Sequence, residues 1–343
     1  MKVGVLVATY NGIKFIKEQL DSILNQTQKV DEIIISDDGS TDGTFEFLNE
    51  YADIHKDDNI VVVKNYGEHG STKNFENAFR NSTADILFFA DQDDAWKPDK
   101  VDVFVKAFEK YSECGLVFSD ALVTDDKLNS IEKTVWDNFF PDVRDLIDKD
   151  NVYSIIDRDY FVKRIESVNV LPGMSIAVTR NILENTTPFN SVLVHDDIIT
   201  MYSAINSKIC CINRIESFYR QHENNAIGIS GNSPTRRNSL SKLIKNASMQ
   251  LKSVLYDITR TKYYKELDAG GEYSNLSENY QWQKRRFCAV KANSFFAAFR
   301  LLAIYASKKH TGNQKTKTFI LDLCLILFVR KKKRIEYFKK YDL

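Results

Sequence analysis

No glycine-rich phosphate loop occurs in this sequence. Neither Gly-x-Gly-x-x-Gly nor Gly-x-x-x-x-Gly-Lys-Ser/Thr is present, which disfavours nicotinamide enzymes and P-loop ATPases. The Gly-x-Ser-x-Gly nucleophile elbow is missing as well. Cysteine is sparse: Cys114, Cys210, Cys211, Cys288 and Cys324 are odd in number and lack zinc-ligand spacing. Cys210-Cys211 sits in an apolar run, so buried free thiols are expected there, and a reducing compartment fits. No long hydrophobic run opens the chain. Its start, MKVGVLVATYNG, is too short and too weakly flanked for a signal peptide or a membrane span, so a cytosolic start is the expectation. Charge of one sign is also lacking, with 47 basic against 47 acidic residues.

The zero balance hides a split. From Arg236 onward lysine and arginine number 24 against 8 acidic residues, and residues 1–235 carry the opposite excess. Such asymmetry suggests an anionic partner for the basic half, either nucleic acid or an anionic membrane surface. With 343 residues, 43% hydrophobic and 27% charged, the chain can bury a real core in one large domain or two smaller ones.

Short apolar runs alternate with helical periodicity through the first part. Val3–Ala8, Glu32–Ser36, Ile60–Lys64, Asp85–Ala90 and Gly115–Ser119 read as strands. Between them, Ile13, Ile16, Leu20, Ile23 and Leu24 recur at helical spacing, and helices are expected through Phe45 and Leu48 and around Asn74–Arg80. This alternation implies a parallel, doubly wound α/β sheet whose ligands sit at the carboxyl ends of the strands. Residues 124–168 are irregular and aromatic, Val170–Thr179 reads as a strand with a Pro-Gly turn, and Lys208–Gln221 is again strand-like. Asn224–Pro234, rich in Asn, Gly and Ser, marks a boundary. The expected domains are therefore 1–235 and a helical 236–343.

Five clusters can carry chemistry. Asp91-Gln92-Asp93-Asp94 follows an apolar run directly. Carboxylates crowded at a strand end repel, and Mg²⁺ or Mn²⁺ relieves the repulsion while bridging to phosphate. A solvated turn, with Asp94 or Asp99 capping the next helix, is the plainer alternative. Asp37-Asp38 ends the second strand; a carboxylate there can accept the imide N–H of uracil or thymine or hold a ribose hydroxyl, while Ser40, Thr41 or Asp42 can cap the next helix. The Thr9-Tyr10-Asn11-Gly12 backbone can wrap a base and Tyr10 can stack on it, although any strand-to-helix turn favours Asn and Gly. At His195-Asp196-Asp197 a carboxylate can deprotonate an acceptor hydroxyl, or simply start a helix. Lastly, Arg220 or His222 in Tyr219-Arg220-Gln221-His222 can meet a diphosphate or its metal, or lie at a surface strand end.

Together Val7-Ala8-Thr9-Tyr10-Asn11-Gly12, Ser36-Asp37-Asp38-Gly39-Ser40-Thr41-Asp42, Ala90-Asp91-Gln92-Asp93-Asp94-Ala95-Trp96 and His195-Asp196 resemble the family 2 glycosyltransferases of GT-A fold. The resemblance covers roughly residues 1–225. It is closest to bacterial rhamnosyltransferase-like members that build cell-wall or capsular polysaccharide, through Lys73-Asn74-Phe75-Glu76-Asn77-Ala78, Pro172-Gly173-Met174-Ser175 and Tyr219-Arg220-Gln221-His222. It implies a nucleotide-diphosphate sugar donor, dTDP- or UDP-linked, with rhamnose favoured over hexose. Thr9, Tyr10, Asn11, Asp37, Asp38, Lys73, Asp91, Gln92 and Arg220 would hold that donor, with Asp37 on the pyrimidine. Asp93, Asp91 and His222 would hold Mn²⁺ or Mg²⁺. Asp196 matches the second residue of the family's Glu-Asp pair, the general base, and His195 stands where the pair usually has Glu. The implied reaction is an inverting transfer to an acceptor hydroxyl.

In the basic part, Phe287, Val290, Phe295, Phe296, Phe299, Leu302 and Ala303 form one amphipathic face. Thr318–Val329 is a short apolar run broken by Asp322 and followed by Arg330-Lys331-Lys332-Lys333-Arg334. It is too short and charged to span a bilayer, but can lie at an anionic interface, or the helices can simply cap the catalytic domain. The expectation is a cytoplasmic protein, peripheral on the inner membrane face, with a lipid-linked saccharide acceptor; dimerisation through these helices is open. No nucleic-acid motif is present, and the acidic half would repel a polyanion. Two competing readings are a sugar-nucleotide nucleotidylyltransferase, which would usually carry a Gly-rich basic loop after the first strand, and a non-catalytic nucleotide- or polyanion-binding protein.

Overall fold

The computed structural model describes residues 1–148, 150–167, 171–223, 225, 240–291, 301, 304, 305 and 322. Contacts divide the chain into two compact units, Met1–Ser230 and Gly231–Leu343. The expected boundary at residue 235 lies outside the described residues.

In the first unit the strands are β1 (Val3–Thr9), β2 (Glu32–Asp37), β3 (Ile60–Lys64), β4 (Ile86–Asp91), β5 (Ala95–Trp96), β6 (Cys114–Thr124), β7 (Ser130–Thr134), β8 (Tyr153–Ile155), β9 (Ile176–Thr179) and β10 (Lys208–Arg220). The helices are α1 (Ile16–Leu24), α2 (Thr44–Ile54), α3 (Ser71–Arg80), α4 (Lys100–Lys110), α5 (Val135–Phe139), α6 (Arg158–Ser167), α7 (Arg180–Thr186) and α8 (His195–Asn206). Strands β1 and β2 are buried along their whole length, as continuous apolar runs covered on both faces must be.

The sheet runs β3-β2-β1-β4-β9-β6-β10-β5, with β7 on β6 and β8 on β10. Strands β1 to β4 are mutually parallel, as the alternation predicts. Strand β9 lies antiparallel to both β4 and β6, and β10 is parallel to β6. The sheet is thus mostly parallel at its core and mixed beyond it. Register decides the site: Thr9 lies beside Asp37 across β1 and β2, and Ala8 beside Asp91 across β1 and β4. The three polar segments therefore leave one edge of the sheet together.

Two local expectations change. The irregular stretch 124–168 holds β7, α5, β8 and α6; β7, α5 and β8 are too short to show a period and α6 is only weakly amphipathic, although α5 carries a capping box between Thr134 and Asp137. Asp42 and Asp94 are not helix caps. Helix α2 starts at Gly43 in the left-handed region (φ 92°), with Asp42 accepting the Thr44 N–H at 3.1 Å, and α4 starts at Asp99.

The second unit contains α9 (Leu240–Leu267) and α10 (Ser274–Lys291). Arg286 is buried and bonds Asp322 at 2.6 and 3.0 Å and Asp257 at 2.6 Å. Asp322, which interrupts the apolar run, is therefore paired internally. The rest of that run, the basic cluster 330–334 and residues 295, 296, 299, 302 and 303 lie outside the described residues. Among the described residues no helix is long and apolar enough to cross a membrane.

Candidate active site

The loops after β1 and β2 are knitted together by their own polar groups. Asp37 is buried, and its carboxylate accepts the Gly39 and Ser40 N–H groups at 3.1 and 2.9 Å, the Thr9 hydroxyl at 3.0 Å and the Ser40 hydroxyl at 2.5 Å. Asp38 accepts Asn65 Nδ2 at 2.7 Å and the Gly70 N–H at 2.8 Å, with His69 Nδ1 at 3.1 Å. Asn11 takes φ 51°; its amide oxygen accepts the Thr41 N–H at 2.8 Å and its own N–H reaches Ser40 Oγ at 2.8 Å. Tyr10 is 56% exposed. Gln92 pairs its amide with the Tyr10 backbone at 2.8 and 3.0 Å, and a Cβ at Gly12 would lie 2.2 Å from Gln92 Oε1. A side chain there would have to displace the Gln92 amide from the Tyr10 backbone.

The cluster after β4 is different. Asp94 is buried; its Oδ1 accepts the Arg220 N–H at 3.0 Å, and its Oδ2 has no partner among the described residues. Burial, and then repulsion from Asp93 and Asp91, hold Asp94 well above the usual carboxylate range. Burial and the neighbouring Asp93 likewise push Asp91 up to about 7. Asp93 Oδ2 lies 2.8 Å from His222 Nε2, whose ring packs on Phe15 at 4.7 Å. Pairing of β5 with the end of β10 brings this about, since Ser217 faces Trp96 and Phe218 faces Ala95.

Arg220 is buried at the same corner. Its Nε donates to Asp93 O at 2.6 Å, one terminal nitrogen to Asp126 O at 2.5 Å, and the other to Glu18 Oε2 at 2.5 Å. All three guanidinium nitrogens are engaged, so a diphosphate would share them. Lys73, on the first turn of α3, bonds Glu76 at 2.8 Å.

Sequence reasoning missed Lys100 and Glu216. Lys100 is fully buried, with its ammonium donating to Met174 O at 2.7 Å and Ser217 Oγ at 2.9 Å and standing 4.1 Å from the centre of the Trp96 ring. Burial lowers its pKa to about 7, opposed by Asp94, Glu216 and Asp91. Glu216, also fully buried, is raised to about 7 by burial, with Arg214 Nε 2.8 Å away. A signal for Lys100 existed: it shares a helical stripe with the apolar Phe104 and Ala107, where a lysine must be buried.

Asp196 sits in the first turn of α8 and is buried; the Asp197 N–H donates to its Oδ1 at 2.8 Å. The turn is held against the sheet through His195, whose ring meets Phe75 of α3 at 4.3 Å and Phe89 of β4 at 5.3 Å. Phe89 lies two residues before Asp91, so β4 carries both the contact that seats α8 and the start of the acidic cluster. A cavity of about 550 Å³ lined by Ile156, Phe161, Ile205 and Lys208 opens at the opposite end of β10, away from these residues.

Among the described residues, no three acidic, histidine or cysteine side chains converge as a ready metal shell. The donor set nevertheless fits a hard cation. Asp93 and His222 already touch, an Asp94 oxygen is buried without a partner, and Mg²⁺ typically takes one or two carboxylates plus substrate phosphates rather than a full protein cage.

Fold and site thus define a Rossmann-like α/β domain with a strained acidic cluster at the carboxyl ends of its strands. Residues 4–160 match the model of glycosyl transferase family 2. A dTDP-rhamnosyl transferase, RfbG of Shigella flexneri, is 28% identical over 236 residues, 65% of this chain and 73% of its own. An uncharacterized glycosyltransferase of Nostoc sp. is 26% identical over 230 residues, 65% of each chain. The putative glycosyltransferase EpsE of Bacillus subtilis is 31% identical over 125 residues, 36% of this chain and 45% of its own. The chain thus spans between 45% and 73% of the length of these relatives. S. aureus TarS 1-349, solved in complex with UDP-GlcNAc, superposes with a TM-score of 0.55 at 14% identity, over 99% of this chain and 92% of TarS 1-349. The fold is GT-A.

Proposed function

We propose that this chain is an inverting, metal-dependent glycosyltransferase. It would move a sugar from a nucleoside diphosphate to an acceptor hydroxyl in bacterial cell-surface polysaccharide synthesis. The observation that carries this reading is the crowded Asp91–Asp94 cluster, with Asp93 against His222, in a domain that matches the model of glycosyl transferase family 2. Carboxylates pushed up by burial and by one another are arranged for a cation, not for stability.

Tyr10 offers its exposed ring to the base, while Thr9, Asn11, Asp37 and Asp38 shape the loops around it. A pyrimidine imide would take the Asp37 oxygen that the Ser40 hydroxyl now occupies. Asp91 faces the ribose, and Gln92 holds the acidic loop to Tyr10. Asp93, Asp91 and His222 would hold Mn²⁺ or Mg²⁺, which supplies Lewis-acid stabilisation of the departing diphosphate. Lys73 and Arg220 add positive charge there. Asp196 accepts the proton of the acceptor hydroxyl, whose oxygen then attacks the anomeric carbon on the face opposite the diphosphate. One displacement inverts the configuration without an enzyme nucleophile.

The donor is dTDP-rhamnose in preference to a UDP-hexose; the similarity to a dTDP-rhamnosyl transferase over 73% of that protein supports this order. The catalytic domain is 1–235. The basic helices of 236–343 bring it to an anionic membrane and a lipid-linked acceptor; co-flotation with anionic liposomes at low salt tests that, and no flotation would reject it. For the reaction, nucleoside diphosphate release is measured from dTDP-rhamnose and UDP-hexoses with Mn²⁺ or EDTA. Metal-dependent release of dTDP or UDP is expected. Release of pyrophosphate, or activity equal in EDTA, would sink the reading.

A further inference from the structure

His195 is only 6% exposed, and neither ring nitrogen has a hydrogen-bond partner among the described residues. Burial keeps the imidazole neutral, with its pKa pushed down to about 3. A buried polar group without a partner costs stability. A phenyl ring would fill the same slot between Phe75 and Phe89 without that cost.

A second observation gives the ring a direction. A Cβ built at Gly173 would lie 2.5 Å from His195 Nε2, the nearest of all its neighbours. The polar edge of the ring is thus pressed against the Pro172–Ser175 turn, and only a residue without a side chain permits the approach. From the other side, Met174 O of the same turn accepts the Lys100 ammonium at 2.7 Å. Lys100 in turn stands in the field of Asp91, Asp94 and Glu216. The acidic cluster is thus linked to Lys100 through its electrostatic field, and Lys100 to His195, and so to Asp196, through contacts of this buried turn.

We propose that His195 is a positioning residue, whose Nε2–H donates to a carbonyl of the Pro172–Ser175 turn in the substrate-loaded protein and so fixes the first turn of α8 and the aim of Asp196. Nε2, unpartnered among the described residues and pressed against this turn, is the donor for that bond. Natural proteins keep such locally destabilising groups where function requires them. This inference rests on the reading of Asp196 as the base.

The test uses the full chain and its variants His195→Phe, His195→Gln and Asp196→Asn. Three quantities are read: Tm without ligand, the Tm shift on adding Mn²⁺ with UDP or dTDP, and nucleoside diphosphate release from dTDP-rhamnose and UDP-hexoses. His195→Phe should raise Tm by about 2–4 °C and leave the nucleotide-induced shift and donor KM unchanged. It should also lower kcat roughly ten- to hundredfold through misplacement of the base. His195→Gln, which restores a donor near the Nε2 position, should recover most of the rate. A lowered Tm in His195→Phe overturns the inference, as does a wild-type kcat. If Asp196→Asn retains release, the base assignment itself fails. If it abolishes release while His195→Phe does not, only the positioning role fails.

Discussion

Two acidic pairs leave the same edge of the sheet, and they live under opposite conditions. Asp37 and Asp38 are buried, yet donors meet their oxygens: Thr9, Gly39 and Ser40 on one, Asn65, His69 and Gly70 on the other. Asp91 and Asp94 are surrounded by like charge and burial instead, and one Asp94 oxygen has no partner among the described residues. Composition does not distinguish the pairs; the supply of donors does. A satisfied buried carboxylate builds a loop, whereas an unsatisfied crowded one is costly to keep unless a ligand relieves it, which is the role proposed for a cation above.

The largest effect expected from this contrast is catalytic. Asp93→Ala should lower nucleoside diphosphate release roughly a thousandfold or more while far-UV circular dichroism and Tm stay near wild type. Retained turnover would take the reaction away from the cluster that holds Asp91 and Asp94.

Next comes a satisfied carboxylate at the far end of the strands. Glu32 is buried; burial pushes its pKa up, but Lys2, Ser82 and Thr83 outweigh this and bring it from 4.5 to about 2. The unfolded chain therefore takes up its proton first as pH falls. The contribution of Glu32 is complete above pH about 4.5 and fades towards pH 2, at most about 3 kcal/mol. Urea unfolding of wild type and Glu32→Gln should differ most at pH 6–7 and converge near pH 2. A constant difference would show that packing rather than charge sets the effect.

Asp37→Ala should cost about 2 kcal/mol by loss of its loop donors, read as a lower urea midpoint with an unchanged slope. The nucleotide-induced Tm shift should fall as well, since Asp37 also meets the base; unchanged stability would show that its loop contacts add nothing to the fold.

The smallest effect has the opposite sign. Asp91 is raised from 3.8 to about 7, so its burden on the metal-free fold grows as pH rises through that interval. Asp91→Asn should stabilise the protein at pH 8 by about 1–2 kcal/mol and by less at pH 5. Mn²⁺ with UDP should narrow the gap by stabilising the wild type more. A Tm independent of pH in this comparison would mean that water or another donor already satisfies Asp91.

Much of the first unit was legible in the chain itself. Continuous apolar runs such as Ile86–Ala90 can only be buried strands, and helices between them force a parallel arrangement. The Thr9, Asp37 and Asp91 segments at one edge follow from that, because each ends a strand running the same way. Between residues 124 and 168, β7, α5 and β8 escaped because they are too short for a period to show, and α6 because its apolar residues mark no clear face. Lys100 escaped because lysine is read as solvent-facing unless its helical stripe is checked.

Sequence by itself determined which residues stand at the strand ends, since burial patterning is local and repeats every two or 3.6 residues. Tertiary structure alone decided which of them meet. His222 reaches Asp93 across 129 positions, and the Arg220 backbone reaches Asp94 across 126, because β9 enters antiparallel and β10 turns back to pair with β5. No local pattern encodes that crossing. The state of the carboxylates also belongs to the fold: a side chain's charge is written in the sequence, but its solvation and its partners are set only when distant segments close around it.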